Sequence, residues 1–275
     1  MLAFRSRSFP VEATTIAVVF ALFAGATARA DSFDPAHARL VDLTHPFGPS
    51  TVYWPTTPSG FGYAFLSNGK QPGGWYYAAG AFQAPEHGGT HMDAPSHFKE
   101  GGTTADQVAL SHLIAPVVVL DVTSAVAADP DYEITPIDVM SYETRYGPIP
   151  RGAIALAYTG WSKRWPDKKE YLGDDTPGEA DNLHFPGFGA EAAKMLVEVR
   201  GVAAIGLDTA SMDPGKSQEF PVHQLTAAAG VPGFENLTNL DQVPARGAWL
   251  LALPMKIEGG TGGPLRAVAM IPEGK

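Results

Sequence analysis

The chain has 275 residues, 45% of them hydrophobic and 17% charged, with a net charge of -10 and a pI near 5.2. That is enough apolar material for a sizeable core, and the acidic balance argues against nucleic-acid binding, which needs basic patches to meet phosphate. Cysteine is absent, which excludes disulfides, thiolate zinc sites, iron–sulfur clusters and cysteine nucleophiles, and leaves chemistry to His, Asp, Glu, Ser and Lys.

Residues 1–30 read as a signal peptide. Arg5 and Arg7 form a positive region, Thr14 to Ala26 is an apolar run, and Ala28-Arg29-Ala30 is a small-x-small cleavage pattern. The run is short of the roughly 20 apolar residues of a membrane span. The expectation is a periplasmic or secreted protein, with no membrane contact after cleavage and one mature domain over 31–275.

Along that domain, Trp75 to Phe82 is an aromatic-rich strand candidate, and Val117 to Val122 is the first buried-type strand. Thr135-Pro136-Ile137-Asp138 opens a helix with an N-cap, a proline in the first turn and an acid three residues on; the helix runs to Tyr146 and stops at Gly147-Pro148. Ala153 to Tyr158 is the next strand. A second helix over Ala190 to Arg200 places Ala192, Met195, Leu196 and Val199 on one face, with Gly201 as its stop. Strand Val202 to Leu207, a short helix over Pro221 to Ala229, and strands Trp249 to Leu253 and Leu265 to Ile271 complete the series. Helices alternating with buried strands predict a single α/β domain with a mixed sheet or partial barrel.

One stretch carries chemistry: His87-Gly88-Gly89-Thr90-His91-Met92-Asp93-Ala94-Pro95-Ser96-His97. The chain has 8 histidines, so eleven residues drawn at that frequency hold about 0.3; these hold three. His91 and Asp93 are two apart, so on extended backbone their side chains share a face. Gly88-Gly89 before them and Pro95 after them disfavour a helix, and a glycine turn can fold His87 back towards the pair. Two imidazoles and a carboxylate converging make a nitrogen/oxygen site for a divalent metal. His97 is placed close by without having to be a ligand. Competing motifs are missing: Glu86 precedes His87, so there is no H-E-x-x-H. Gly160-Trp161-Ser162-Lys163-Arg164 lacks the second glycine of a nucleophile elbow, and Gly259 to Pro264 lacks the Lys-Ser/Thr of a phosphate loop.

The same eleven residues match H-x-G-T-H-x-D-x-P-x-H, the signature of the cyclase family of metal-dependent hydrolases, which includes kynurenine formamidase and isatin hydrolase. The chain resembles that family over most of residues 31–275: Asp42-Leu43-Thr44, Trp54-Pro55, Thr159-Gly160-Trp161-Ser162, His184-Phe185-Pro186-Gly187, Asp208 to Asp213 and Gly262 to Arg266 follow in the family's order. The middle blocks look closer to the isatin hydrolase branch. The resemblance implies a swivelling-type β/β/α domain, His87, His91 and Asp93 as metal ligands, and His97 as catalytic acid/base. It also implies His223 and Glu235 as ligands of a second ion, Trp54 as a substrate contact, one or two Mn or Zn ions, and a homo-oligomer, dimer or larger. Trp75 is added as a substrate contact from its strand position before the motif. The expected reaction is hydrolysis of the C–N bond of a small-molecule amide, an isatin-like lactam, by a metal-activated water with His97 moving the proton. An aryl formamidase of the kynurenine formamidase type is the alternative enzyme. A non-catalytic periplasmic metal-binding protein is the alternative from another class, and it would need the ligands but not His97.

Overall fold

Short apolar runs, buried on both faces, build the centre of the fold. The computed structural model describes residues 37–273, all within the unit Asp34–Lys275; the signal segment expected over 1–30 lies outside the described residues. The strands are β1 (Ala38–Asp42), β2 (Gly62–Lys70), β3 (Tyr76–Gln83), β4 (His91–Asp93), β5 (Ile114–Asp121), β6 (Glu133–Ile134), β7 (Ile154–Tyr158), β8 (Gly187–Phe188), β9 (Ala204–Leu207), β10 (Gly233–Glu235), β11 (Ala248–Pro254) and β12 (Gly262–Pro272). The α-helices are α1 (Leu110–Leu113), α2 (Thr123–Ala128), α3 (Pro136–Tyr146), α4 (Lys168–Leu172), α5 (Ala190–Lys194) and α6 (Pro221–Ala229). Among the described residues no helix is long and apolar enough to cross a membrane.

The main sheet runs β1-β12-β11-β5-β7-β9-β10-β4, and a further pairing of β12 with β4 closes the last seven strands into a mixed barrel. The mixed sheet or partial barrel expected from the strand pattern is present, as a mixed sheet closed on itself. Its central strands β5, β7 and β9 are parallel, and their side chains alternate between two apolar clusters. Val117, Val119, Ile154, Leu156 and Ala204 pack with Phe234, Leu250 and Ala267 inside the barrel. Val118, Leu120, Ala155, Ala157, Ile205 and Leu207 face outward, against Val139 and Tyr142 of α3 and Ala192 and Ala193 of α5. Burial on both faces is why these strands read as continuous apolar runs with no polar alternation.

Helices α3 and α6 have the bounds expected. The Thr135–Asp138 capping box is present, and the helix ends at Gly147 with φ 87. The run 190–200 is helical throughout but widens after Lys194 into a π-helical turn over Met195–Arg200 before Gly201 stops it at φ 63. The aromatic stretch expected as a strand over Trp75 to Phe82 forms β3, Tyr76–Gln83. It pairs only with β2, in a separate two-stranded ribbon whose Tyr63, Phe65, Leu66, Trp75, Tyr76, Tyr77 and Phe82 are exposed.

The barrel closure positions the chemistry. Strand β4 is three residues long and lies antiparallel to both neighbours. Its His91 is opposite Glu235 of β10 and Pro264 of β12, and its Asp93 is opposite Gly233 and Gly262.

Candidate metal centre and active-site cavity

His91 and Asp93 point to one face of β4, with His91 Nε2 3.2 Å from Asp93 Oδ1. The preceding glycines take φ values of 142 and 60, conformations that side-chain-bearing residues rarely adopt. A Cβ on Gly88 would also overlap the Tyr53 ring. The turn brings His87 back so that its Nδ1 is 2.6 Å from Asp93 Oδ1. The β4–β10 register adds Glu235, whose Oε2 is 3.5 Å from His91 Nε2. Helix α6 adds His223, whose Nε2 is 3.1 Å from Asp93 Oδ2 and 3.2 Å from Glu235 Oε1. Four of these five side chains are buried, and His87 is half-buried.

The outer nitrogen of each ring already has a partner. His91 Nδ1–H donates to the Gly89 carbonyl at 3.0 Å. His223 Nδ1–H donates to Asp213 Oδ2 at 2.6 Å, and the same carboxylate accepts the backbone N–H groups of Val222 and His223. The Thr261 hydroxyl gives its proton to Glu86 at 2.6 Å, so its oxygen accepts Nε2–H of His87 at 2.9 Å. When these rings are neutral, their three inner nitrogens are lone pairs aimed at two carboxylates. A neutral arrangement of this kind leaves acceptors facing acceptors, and a divalent cation is what such a donor set fits.

The same demand for positive charge governs the pKa values. Burial alone would lower His91, but the charge and hydrogen bond of Asp93, then Glu235, outweigh it and raise the group to about 9. His223 is likewise held well above its ordinary value: burial opposes, and hydrogen bonds to Asp213, Asp93 and Glu235 prevail. Glu235 is raised by burial and by the nearby Asp93 charge. Asp93 is well below its usual range despite burial, because His91, His223 and His87 favour its charged form.

The candidate ligand atoms form two overlapping groups, His91, Asp93 and Glu235, and His87, Asp93 and His97, each within 4.8 Å. Asp93 is common to both, so it can serve one ion or bridge two. His97 stacks on His87 at 3.7 Å between ring centroids. Solvent reaches it from the cavity, yet loss of hydration among the surrounding atoms lowers it to about 4.

A cavity of about 320 Å³ opens above this cluster. Trp54, Phe98 and Phe220 form much of its wall. Trp54 is 6.0 Å edge-on from Phe220, and Phe98 lies 4.6 Å from His223. The structure therefore gathers His87, His91, Asp93, His97, His223, Glu235 and Trp54 around one space. It does not bring Trp75 there. Trp75 is 59% exposed and packs edge-on to Tyr77, because β3 pairs in the ribbon and not in the barrel. Sequence reading missed Asp213, Thr261, Phe98 and Phe220. Thr261 acts through His87, 174 residues away in sequence, and Asp213 through His223, in the next helix, pairings that no spacing rule detects. Phe220 carried a weak signal, as the residue before the proline that starts α6.

Comparison with known proteins gives the chain's relatives. The Cyclase family model, described as "Putative cyclase", matches residues 41–214. Isatin hydrolase of Roseibium aggregatum is 38% identical over 196 residues, 68% of this chain and 73% of that protein. Kynurenine formamidase of Salinibacter ruber is 28% identical over 240 residues, 83% of this chain and 96% of that protein. Among solved structures, isatin hydrolase A from Ralstonia solanacearum superposes with a TM-score of 0.76 at 35% identity, covering 86% of this chain and 93% of that one.

Proposed function

The chain belongs to the Cyclase family, a metal-dependent hydrolase by its relatives, and from that premise we propose that it opens a cyclic aromatic amide, an isatin-like lactam, by hydrolysis of its C–N bond. One observation carries this reading: the inner nitrogens of His87, His91 and His223 and the carboxylates of Asp93 and Glu235 converge at the floor of an aromatic-walled cavity that also holds a further imidazole, His97. His91, Asp93, Glu235, His223 and His87 would hold Mn or Zn, as one ion or two. When bound, such an ion supplies a Lewis acid for the scissile carbonyl and makes water nucleophilic near neutral pH. The residues do the rest. Trp54, Phe98 and Phe220 bind the flat ring and exclude bulk water, as apolar walls around a few polar groups do. His97 accepts a proton from the attacking water and returns it to the departing nitrogen, which gives a carboxylate and a freed amine.

An aryl formamidase is the second reading, favoured by the match over nearly the whole length of a kynurenine formamidase. The test is to assay isatin, N-formylkynurenine and a simple aryl lactone side by side, with Mn and Zn compared. Fastest turnover of isatin supports the lactam reading, and a marked preference for N-formylkynurenine replaces it with the second.

Two further features belong to this proposal. The signal-like segment over 1–30 favours work outside the cytoplasm, in the periplasm or after secretion. The β2–β3 ribbon has Lys70 as its one charged residue and exposes seven large apolar side chains. An isolated two-stranded ribbon is marginal in water, so the ribbon is assigned to self-association into a dimer or larger homo-oligomer.

A further inference from the structure

Asn236 follows Glu235 directly and takes a left-handed conformation, φ 54. Such backbone suits Gly and Asn and few other residues. Three segments hold it. Its N–H donates to the Thr209 carbonyl at 2.8 Å, and its carbonyl accepts from the hydroxyl of Thr90, the residue before His91, at 2.6 Å. Its Oδ1 accepts from the Tyr171 hydroxyl at 3.0 Å. The one proton of the fully buried Tyr171 hydroxyl is shared between Asn236 Oδ1 and the Asp208 carbonyl at 3.1 Å, which ties the carboxamide to the end of β9. The residue is only 2% exposed, yet it lines the cavity beside Glu235. Its Nδ2 has no protein partner and is not among the sealed, unpartnered polar atoms, so the open side of that amide is the cavity itself.

A buried carboxamide whose oxygen is anchored and whose N–H₂ group is free is a preorganised donor. The geometry points to Asn236 as a substrate-contacting residue: its Nδ2–H donates to the carbonyl oxygen of the scissile amide, most strongly when that oxygen becomes an oxyanion. This rests on the hydrolase reading above and assigns a role outside the ligand set and His97. Tyr171 is then a positioning residue that holds the carboxamide against the end of β9.

The test compares the wild type with Asn236→Gly, which keeps the left-handed backbone, and Asn236→Asp, which keeps the shape but removes the donor. Turnover is measured on a lactam and on the matched lactone, with elemental analysis of bound metal and calorimetric binding of benzoate to the metal-loaded protein. Both variants should keep the wild-type metal content and lose about 10²- to 10³-fold in kcat on lactam and lactone alike, with KM changed far less. Benzoate should bind more weakly to both. Tyr171→Phe should show a smaller loss in the same direction. Wild-type kcat in the two metal-replete variants overturns the proposal. So does a loss that parallels loss of metal, which would make Asn236 a support for Glu235 only, or a loss confined to the lactam, which would place the contact on the N–H. If the wild type hydrolyses neither substrate, the hydrolase reading fails, while unchanged benzoate affinity in the variants separately removes Asn236.

Discussion

Replacing Asp213 by Asn isolates the part that outer hydrogen bonds play in building the metal centre. The Asp213 side chain is fully buried and accepts three protons, from Val222 N–H at 2.9 Å, His223 N–H at 3.1 Å and His223 Nδ1–H at 2.6 Å. An asparagine offers one carbonyl oxygen and one N–H₂. It can satisfy the helix N–H groups or the imidazole, and whichever it neglects then faces a donor. If the amide nitrogen meets Nδ1, the ring must shift its proton to Nε2, the atom that points at Asp93 and Glu235, and it ceases to be a ligand. Loss of such an outer partner lowers metal affinity by about 10- to 100-fold, or about 1.4–2.7 kcal/mol. The assay is competition for Zn or Mn against a chelator of known affinity, with the thermal midpoint of the metal-free protein recorded in parallel. Weaker binding with a nearly unchanged metal-free midpoint is expected. Unchanged affinity in a folded Asp213→Asn protein would refute the assignment of His223 as a ligand oriented by Asp213.

Three other outcomes are expected. His97→Ala should keep its metal and lose about 10²- to 10⁴-fold in kcat; loss of metal on elemental analysis would make His97 a ligand of the His87–Asp93–His97 group. Away from the site, Arg200 Nε and Nη2 each donate to Glu143 at 2.7 Å, and this pairing holds the Glu143 carboxyl below its ordinary value of 4.5. A depressed carboxyl stabilises the fold above its unfolded pKa, and that stabilisation is lost as pH falls through the folded value. Arg200→Ala should therefore cost about 1 kcal/mol at pH 7, and chemical denaturation should show the deficit fading towards pH 3. A deficit that is independent of pH would assign it to packing. Replacing Trp75 and Tyr77 by Ser should reduce the mass seen by light scattering to that of a single chain while turnover per site persists; an unchanged mass would move the contact elsewhere.

What could be read in the chain depended on how local each signal was. Helix α3 was legible to the residue because Thr135, Pro136, Asp138 and Gly147 mark both ends within one segment. Strands β5, β7 and β9 were legible because Val117–Leu120, Ile154–Ala157 and Ala204–Leu207 are buried on both faces. Strands β4 and β10 have three residues each, too few to carry any period, and only their pairing with distant segments makes them strands. That pairing closes the barrel and sets Glu235 beside His91. The candidate ligands His87, His91 and Asp93 stood out because one glycine turn assembles them. His223 and Glu235 were reached through family resemblance alone, since the first comes from a helix and the second from a strand far along the chain. Trp75 was misplaced for a related reason: an aromatic-rich strand next to the motif in sequence belongs to a ribbon that never enters the barrel. Asp213 and Asn236 carry no pattern of their own, because each acts through hydrogen bonds to residues that only the fold brings near.

The central claim is that hydrolysis depends on a cation held by His91, Asp93, Glu235, His223 and His87. It is tested most directly by stripping the protein with a chelator, measuring isatin hydrolysis, and adding back Mn or Zn while counting bound ions per chain. The expected result is loss of turnover on stripping and recovery that saturates at one or two ions per chain, with His91→Ala failing to recover. Full turnover by the stripped protein, or by His91→Ala, would contradict it.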